Sequence, residues 1–112
     1  MHELSITENM LAVALAKGKE AGASRISRIN LVIGELTGVA SDCVSFYFDF
    51  VAKDTIAHQA TLSFENRPTS LRCRSCGRVF PPDGTWACPG CGAEQVEIVG
   101  GRELYVDSIE VD

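Results

Sequence analysis

A chain of 112 residues and 12.1 kDa has room for one ordinary domain, or for one small domain carrying a stapled insert. With 46% hydrophobic and 22% charged residues the composition is globular; no apolar run approaches the roughly 20 residues that cross a bilayer, and MHELSITENML lacks the basic start of a secretory leader. The expectation is a soluble cytoplasmic protein, and a net charge of −5 argues against a general nucleic-acid binder.

Ser5-Ile6-Thr7-Glu8 has the form of a capping box, which predicts a helix from about Ser5 to Ala21 with Met1, His2 and Glu3 in front of its first turn. Ile6, Met10, Val13, Ala14 and Lys17 fall on one face of that helix, with Leu11 and Leu15 beside them, and Gly22 stands where a left-handed cap belongs. From Ser24 to Ile33 the alternation of Ser27, Ile29, Leu31 and Ile33 predicts a half-buried strand. Ser41-Asp42 can cap a second helix to about Lys53, with Val44, Phe48 and Val51 on one face and Phe46, Tyr47 and Phe50 thickening it. The aromatic run SFYFDF would also suit a strand. Ala60 to Glu65 and Leu104 to Val111 read as two further strands.

The stretch between those two strands, Arg67 to Gly101, is rich in Cys, Pro and Gly and has little periodicity. A discontinuous organisation follows: a main domain of residues 1–67 plus 101–112, interrupted by an insert at 68–100. Charge divides the same way: residues 67–92 carry four arginines against Asp83 alone. Those arginines surround the cysteines and keep a nucleic-acid-binding zinc ribbon as the rival reading.

Cys73-Arg74-Ser75-Cys76-Gly77 and Cys88-Pro89-Gly90-Cys91-Gly92 are two C-x-x-C-G knuckles. Two intervening residues let both sulfurs of a knuckle reach one ion, and four thiolates suit a tetrahedral Zn²⁺ at about 2.3 Å per bond. An iron site of the same geometry is the alternative, and disulfides fit a reducing cytoplasm poorly. Four protein ligands close the coordination sphere, so such a zinc is structural. Cys43 lies apart and reads as a small buried hydrophobe; His58 reads as a solvated loop residue.

At the other end, the α-amine, the His2 amide and the His2 imidazole can close a five- and a six-membered chelate ring. Planar nitrogen ligands of this kind favour Ni(II) or Cu(II).

MHELSI, INLVIGEL, the double C-x-x-C insert and GRELYVDSIEVD together resemble the HypA/HybF family, the nickel-insertion accessory proteins of nickel–iron hydrogenase maturation, over essentially the whole chain. The resemblance implies an α+β fold: a small nickel-binding domain with two helices on a three-stranded mixed sheet, carrying an inserted zinc-ribbon domain. It implies a metallochaperone, not an enzyme, that passes Ni²⁺ on with a maturation GTPase to the hydrogenase large subunit. Carried over position by position, nickel falls on His2 with the Met1 amine and the backbone of Glu3. Structural Zn²⁺ falls on Cys73, Cys76, Cys88 and Cys91. No nucleic acid or membrane is implied as a partner.

Overall fold

The computed structural model describes residues 2–112. In chain order the elements are α1 (Glu3–Glu20), β1 (Ile26–Gly34), a 3-10 turn (Glu35–Thr37), α2 (Ser41–Val51), β2 (Thr61–Arg67), β3 (Ser70–Cys73), β4 (Val79–Phe80), β5 (Val96–Gly100) and β6 (Leu104–Val111). Two sheets of three strands form, ordered β2-β1-β6 and β4-β3-β5. The first is mixed, since β1 runs parallel to β2 and antiparallel to β6. Each sheet has its own core, and the molecule is drawn out to 55 × 27 × 16 Å.

The first helix starts two residues earlier than its sequence suggests. His2 is the N-cap residue, with no side-chain cap bond, and the first ladder bond runs from the Ile6 amide to the His2 carbonyl at 3.0 Å. Ser5 therefore lies inside the first turn, and Glu3 is the first helical residue, not a residue in front of the helix. A carboxylate is favoured there by the helix dipole. Glu3 Oε2 also accepts the Ala40 amide at 3.4 Å, where α2 begins. The other end is as expected: Ala23 N donates to Gly18 O and Gly22 N to Lys19 O, both at 3.0 Å, around Gly22 at φ +65°.

The buried stripe of α1 is Thr7, Met10, Leu11, Ala14 and Gly18. Val13 and Lys17, assigned to the core by periodicity, point outward. The small pair Ala14 and Gly18 decides the orientation. A Cβ on Gly18 would stand 3.0 Å from Ile26 Cδ1, so only this seam lets the helix approach β1 closely. The Thr7 hydroxyl within the stripe is satisfied by the Glu3 carbonyl at 2.5 Å.

The α2 cap is Ala40 and not Ser41 or Asp42, and the helix stops at Val51 short of Lys53. Val44 and Phe48 are buried, whereas Phe46 and Phe50 are 60% and 64% exposed and stack edge-to-face with centroids 5.2 Å apart. The aromatic run is thus helical, with two of its rings turned to solvent instead of thickening the core.

The turn after β1 ties the two sheets together. Gly34 N donates to Glu103 O at 2.6 Å, Leu36 N to Gly101 O at 2.7 Å, and the buried Thr69 hydroxyl to Glu35 Oε1 at 2.6 Å. Both chain crossings between the sheets are therefore gripped by one short segment. Among the described residues, no helix is long and apolar enough to cross a membrane.

Candidate metal centre

The second sheet buries little: Leu71, Cys73, Phe80 and Cys88, with Ala93, Val96 and Ile98 half-buried around them. Two of its four core residues are cysteines, so the thiol cluster is a large part of what holds it. Each knuckle is closed by its own backbone. Gly77 N donates to Cys73 O and Gly92 N to Cys88 O, both at 2.9 Å, with the two glycines at φ +79° and +76°. Antiparallel pairing of β3 with β5 and β4 then brings the knuckles face to face.

All four sulfurs lie within 4.8 Å of one another, and the Cys73–Cys91 and Cys76–Cys88 pairs are 3.6 Å apart. Tetrahedral bonds of about 2.3 Å imply edges of roughly 3.8 Å, so the four atoms fit a closed S₄ site for one ion. Cys76 N donates to Cys73 Sγ at 3.4 Å and Gly90 N to Cys88 Sγ at 3.3 Å.

These amide dipoles stabilise negative sulfur. The Cys73 thiol is lowered chiefly by the Cys76 amide, and Cys88 falls to about 6, chiefly through the Cys91 amide with that of Gly90. Four thiolates this close cannot all ionise without a cation. At Cys91 the Ala93 amide favours the thiolate, but the neighbouring sulfurs, Cys73 foremost, and burial outweigh it and push the thiol up to about 11. A divalent ion removes that conflict.

Of the amino-terminal residues, Met1 lies outside the described residues. His2 is exposed at the start of α1, and Glu3 is half-buried against the start of α2. Among the described residues, the first helical ladder bond is the one from the Ile6 amide to the His2 carbonyl. Cys43 is exposed on α2, not buried as its residue type suggested, and His58 is exposed beyond that helix.

The arginines around the cysteines do not form a free basic surface. Arg72 and Arg74 both pair with Glu97 on β5, Arg74 at 3.6 Å, and Arg67 pairs with Glu65. Glu97 came into view only through the β3–β5 register, in which Arg72 sits directly opposite it. A nucleic-acid footprint needs unpaired cations, and here three of the four expected ones are committed.

Compared with known proteins, residues 1–111 match the family described as "HypA: Hydrogenase/urease nickel incorporation, metallochaperone". A "Hydrogenase maturation factor HypA" of Dehalococcoides mccartyi is 49% identical over 113 aligned positions, spanning 100% of this chain and 95% of the relative. A protein of the same description from Geobacter metallireducens is 39% identical and aligns over 100% of both chains. Two solution structures are similar in fold at 25% identity. One, of a HypA protein, gives a TM-score of 0.79 over 99% of this chain and 96% of that one. The other, of the Ni metallochaperone HypA from Helicobacter pylori, gives 0.71 over 99% and 97%.

Proposed function

The chain belongs to the HypA family of nickel-incorporation metallochaperones, a family of hydrogenase maturation factors, and from that premise we propose that it carries Ni²⁺ on its amino terminus while a resident Zn²⁺ holds its ribbon. The Met1 amine, the His2 amide and imidazole, and the backbone of Glu3 bind the nickel. Cys73, Cys76, Cys88 and Cys91 bind the zinc. The observation that supports the nickel assignment is His2 itself: exposed, at the cap position, with no cap bond to give up when its imidazole takes a metal.

Residues 1–67 with 101–112 act as the nickel-binding domain, and 68–100 as a zinc-ribbon domain folded with its ion. The four-thiolate site is closed and has no position for a substrate, so the ribbon ion is structural. Nickel goes to the hydrogenase large subunit with the help of a nickel-handling GTPase, and the chain turns over no substrate of its own. A reducing cytoplasm keeps the thiols available.

The test is a nickel titration of zinc-loaded protein, followed by absorption spectroscopy, on three forms. The untagged chain gives a yellow, low-spin band. His2→Ala loses it, and so does a chain extended by one or two residues ahead of Met1, which keeps His2 but removes the α-amine. Equal affinity and spectra in the extended form would exclude the amine as a ligand. Equal affinity in His2→Ala would move the site elsewhere.

A further inference from the structure

A groove between α1 and β6 belongs to neither metal site. Ile6, Met10 and Val13 line it from the helix and Leu104, Tyr105 and Val106 from the strand, around a volume of about 350 Å³. Three consecutive strand residues cannot share one face, so the groove follows the backbone of β6. That strand is one of the two outer strands of its sheet, and among the described residues no strand pairs with its far side. Val13, Leu104 and Tyr105 are 44%, 38% and 42% exposed, which leaves an apolar trough beside open backbone donors and acceptors. Such an edge takes an added strand.

Two further features define what can lie there. From Leu104 to its end the chain carries Asp107, Glu110 and Asp112 and no base, and Glu110 is answered from within by Arg28 at 3.2 Å. A second copy pairing antiparallel along Leu104–Val106 about a two-fold axis at Tyr105 would set Asp107 opposite Glu103 twice over, acid against acid, which disfavours this chain as the occupant. The register shift that leaves Asp107 unpaired opposite Asn30 and Leu31 is a bulge, and it confines a regular ladder to Leu104–Val106. The groove also begins one helical turn from His2, whose carbonyl accepts the Ile6 amide.

We propose that this groove docks an extended segment of a partner protein as a short fourth strand beside Leu104–Val106, with an apolar side chain between Val13 and Leu104 on the helix side and, on the opposite face, a Lys or Arg facing Asp107. Docking there sets the partner beside the amino-terminal metal site. Its purpose rests on the nickel reading above, but the docking itself does not require nickel.

The probe is a blocked peptide of about eight alternating Val and Lys residues, titrated by NMR into the zinc-loaded full chain without nickel. It is compared with a Val–Glu peptide and with a Val–Lys peptide N-methylated at its central valine. The expected result is that the Val–Lys peptide shifts Val13 and Leu104–Val106 and slows exchange of the outward amides of β6. Both comparison peptides should bind about tenfold more weakly, as should Val13→Lys, which trades an apolar contact for a like charge. Val13 is exposed, so the variant keeps the fold, and its nickel titration reads the amino-terminal site separately. Absence of binding, equal binding by all three peptides, shifts centred on Phe46 and Phe50, or a dimer formed through β6 would overturn the proposal.

Discussion

Gly34→Ala tests how rigidly the two sheets are joined. Gly34 lies at φ −80° and ψ 145°, a conformation alanine adopts without strain, so any cost must come from space. A Cβ there would stand 2.7 Å from the Arg102 nitrogen and nearer still to the Gly101 carbonyl. Both neighbours are backbone and cannot swing aside as a side chain could. Relief means drawing the end of β1 away from the crossing, which strains the Gly34–Glu103 and Leu36–Gly101 hydrogen bonds, now 2.6 and 2.7 Å. Each is worth about 1 kcal/mol net, and leaving a buried partner unsatisfied adds about 1–3 kcal/mol. The expected loss is therefore about 3–5 kcal/mol, read by urea unfolding of zinc-loaded protein. The four-sulfur geometry is remote from the change, so zinc stoichiometry should hold. A loss below about 1 kcal/mol, within the range of a neutral surface change, would refute the reasoning and show that the crossing yields.

Cys76→Ala or Cys91→Ala should release the ion and unfold the ribbon while most of the helical signal survives, because α1 and α2 pack on the other sheet; metal analysis with circular dichroism checks both, and two disulfides in the untreated protein would contradict it. Nickel affinity should fall as pH is lowered, since coordination displaces protons from the ligand nitrogens, and a pH series of titrations should show that slope in the untagged chain and lose most of it in the extended one. Glu103 is held below the ordinary glutamate range by its own backbone amide and that of Gly101, with the Arg67 charge adding. A group lowered in the folded state stabilises it above the ordinary value of about 4.3 and loses that contribution as pH falls through the lowered value. An NMR titration should show the Gly101 amide moving with that carboxyl, and Glu103→Gln should abolish the movement.

The order of helices and strands was legible because each carries its own period or punctuation: the Gly22 cap, the apolar alternation of β1, the Gly-flanked knuckles. The clustering of Cys73, Cys76, Cys88 and Cys91 was legible for a stronger reason, since the paired C-x-x-C spacing is what lets four sulfurs converge. What the sequence hid is what depends on a second segment. Val13 is at least as apolar as Ala14, and the tight seam that favours small residues inward shows only where Gly18 on the same stripe meets Ile26. Ser5 and Ser41 have the right chemistry for caps, but each lies one or more positions inside its helix. Glu3 and Ala40 mark the actual starts, and they meet each other across the fold. The close approach of Gly34 to Gly101 has no local signature, because Gly34 is in ordinary extended backbone.

The two proposed metal positions differ in a way that fits the roles proposed for them. The four sulfurs replace a core in a sheet with few other buried residues, so an ion there is coupled to folding and leaves only as the ribbon opens. His2 stands outside any core, at the N-cap of α1 with no side-chain cap bond, so a metal bound by its imidazole, as proposed, would be gained and lost without breaking that contact. A carrier needs both properties at once: one ion that does not exchange, to fix the shape, and one that does, at a surface a partner can reach. The charge distribution agrees with this division. Glu97 pairs with Arg72 and Arg74 and removes much of the positive field that could draw the ribbon toward phosphates, while the acids of β6 remain beside an open strand edge near the proposed nickel position.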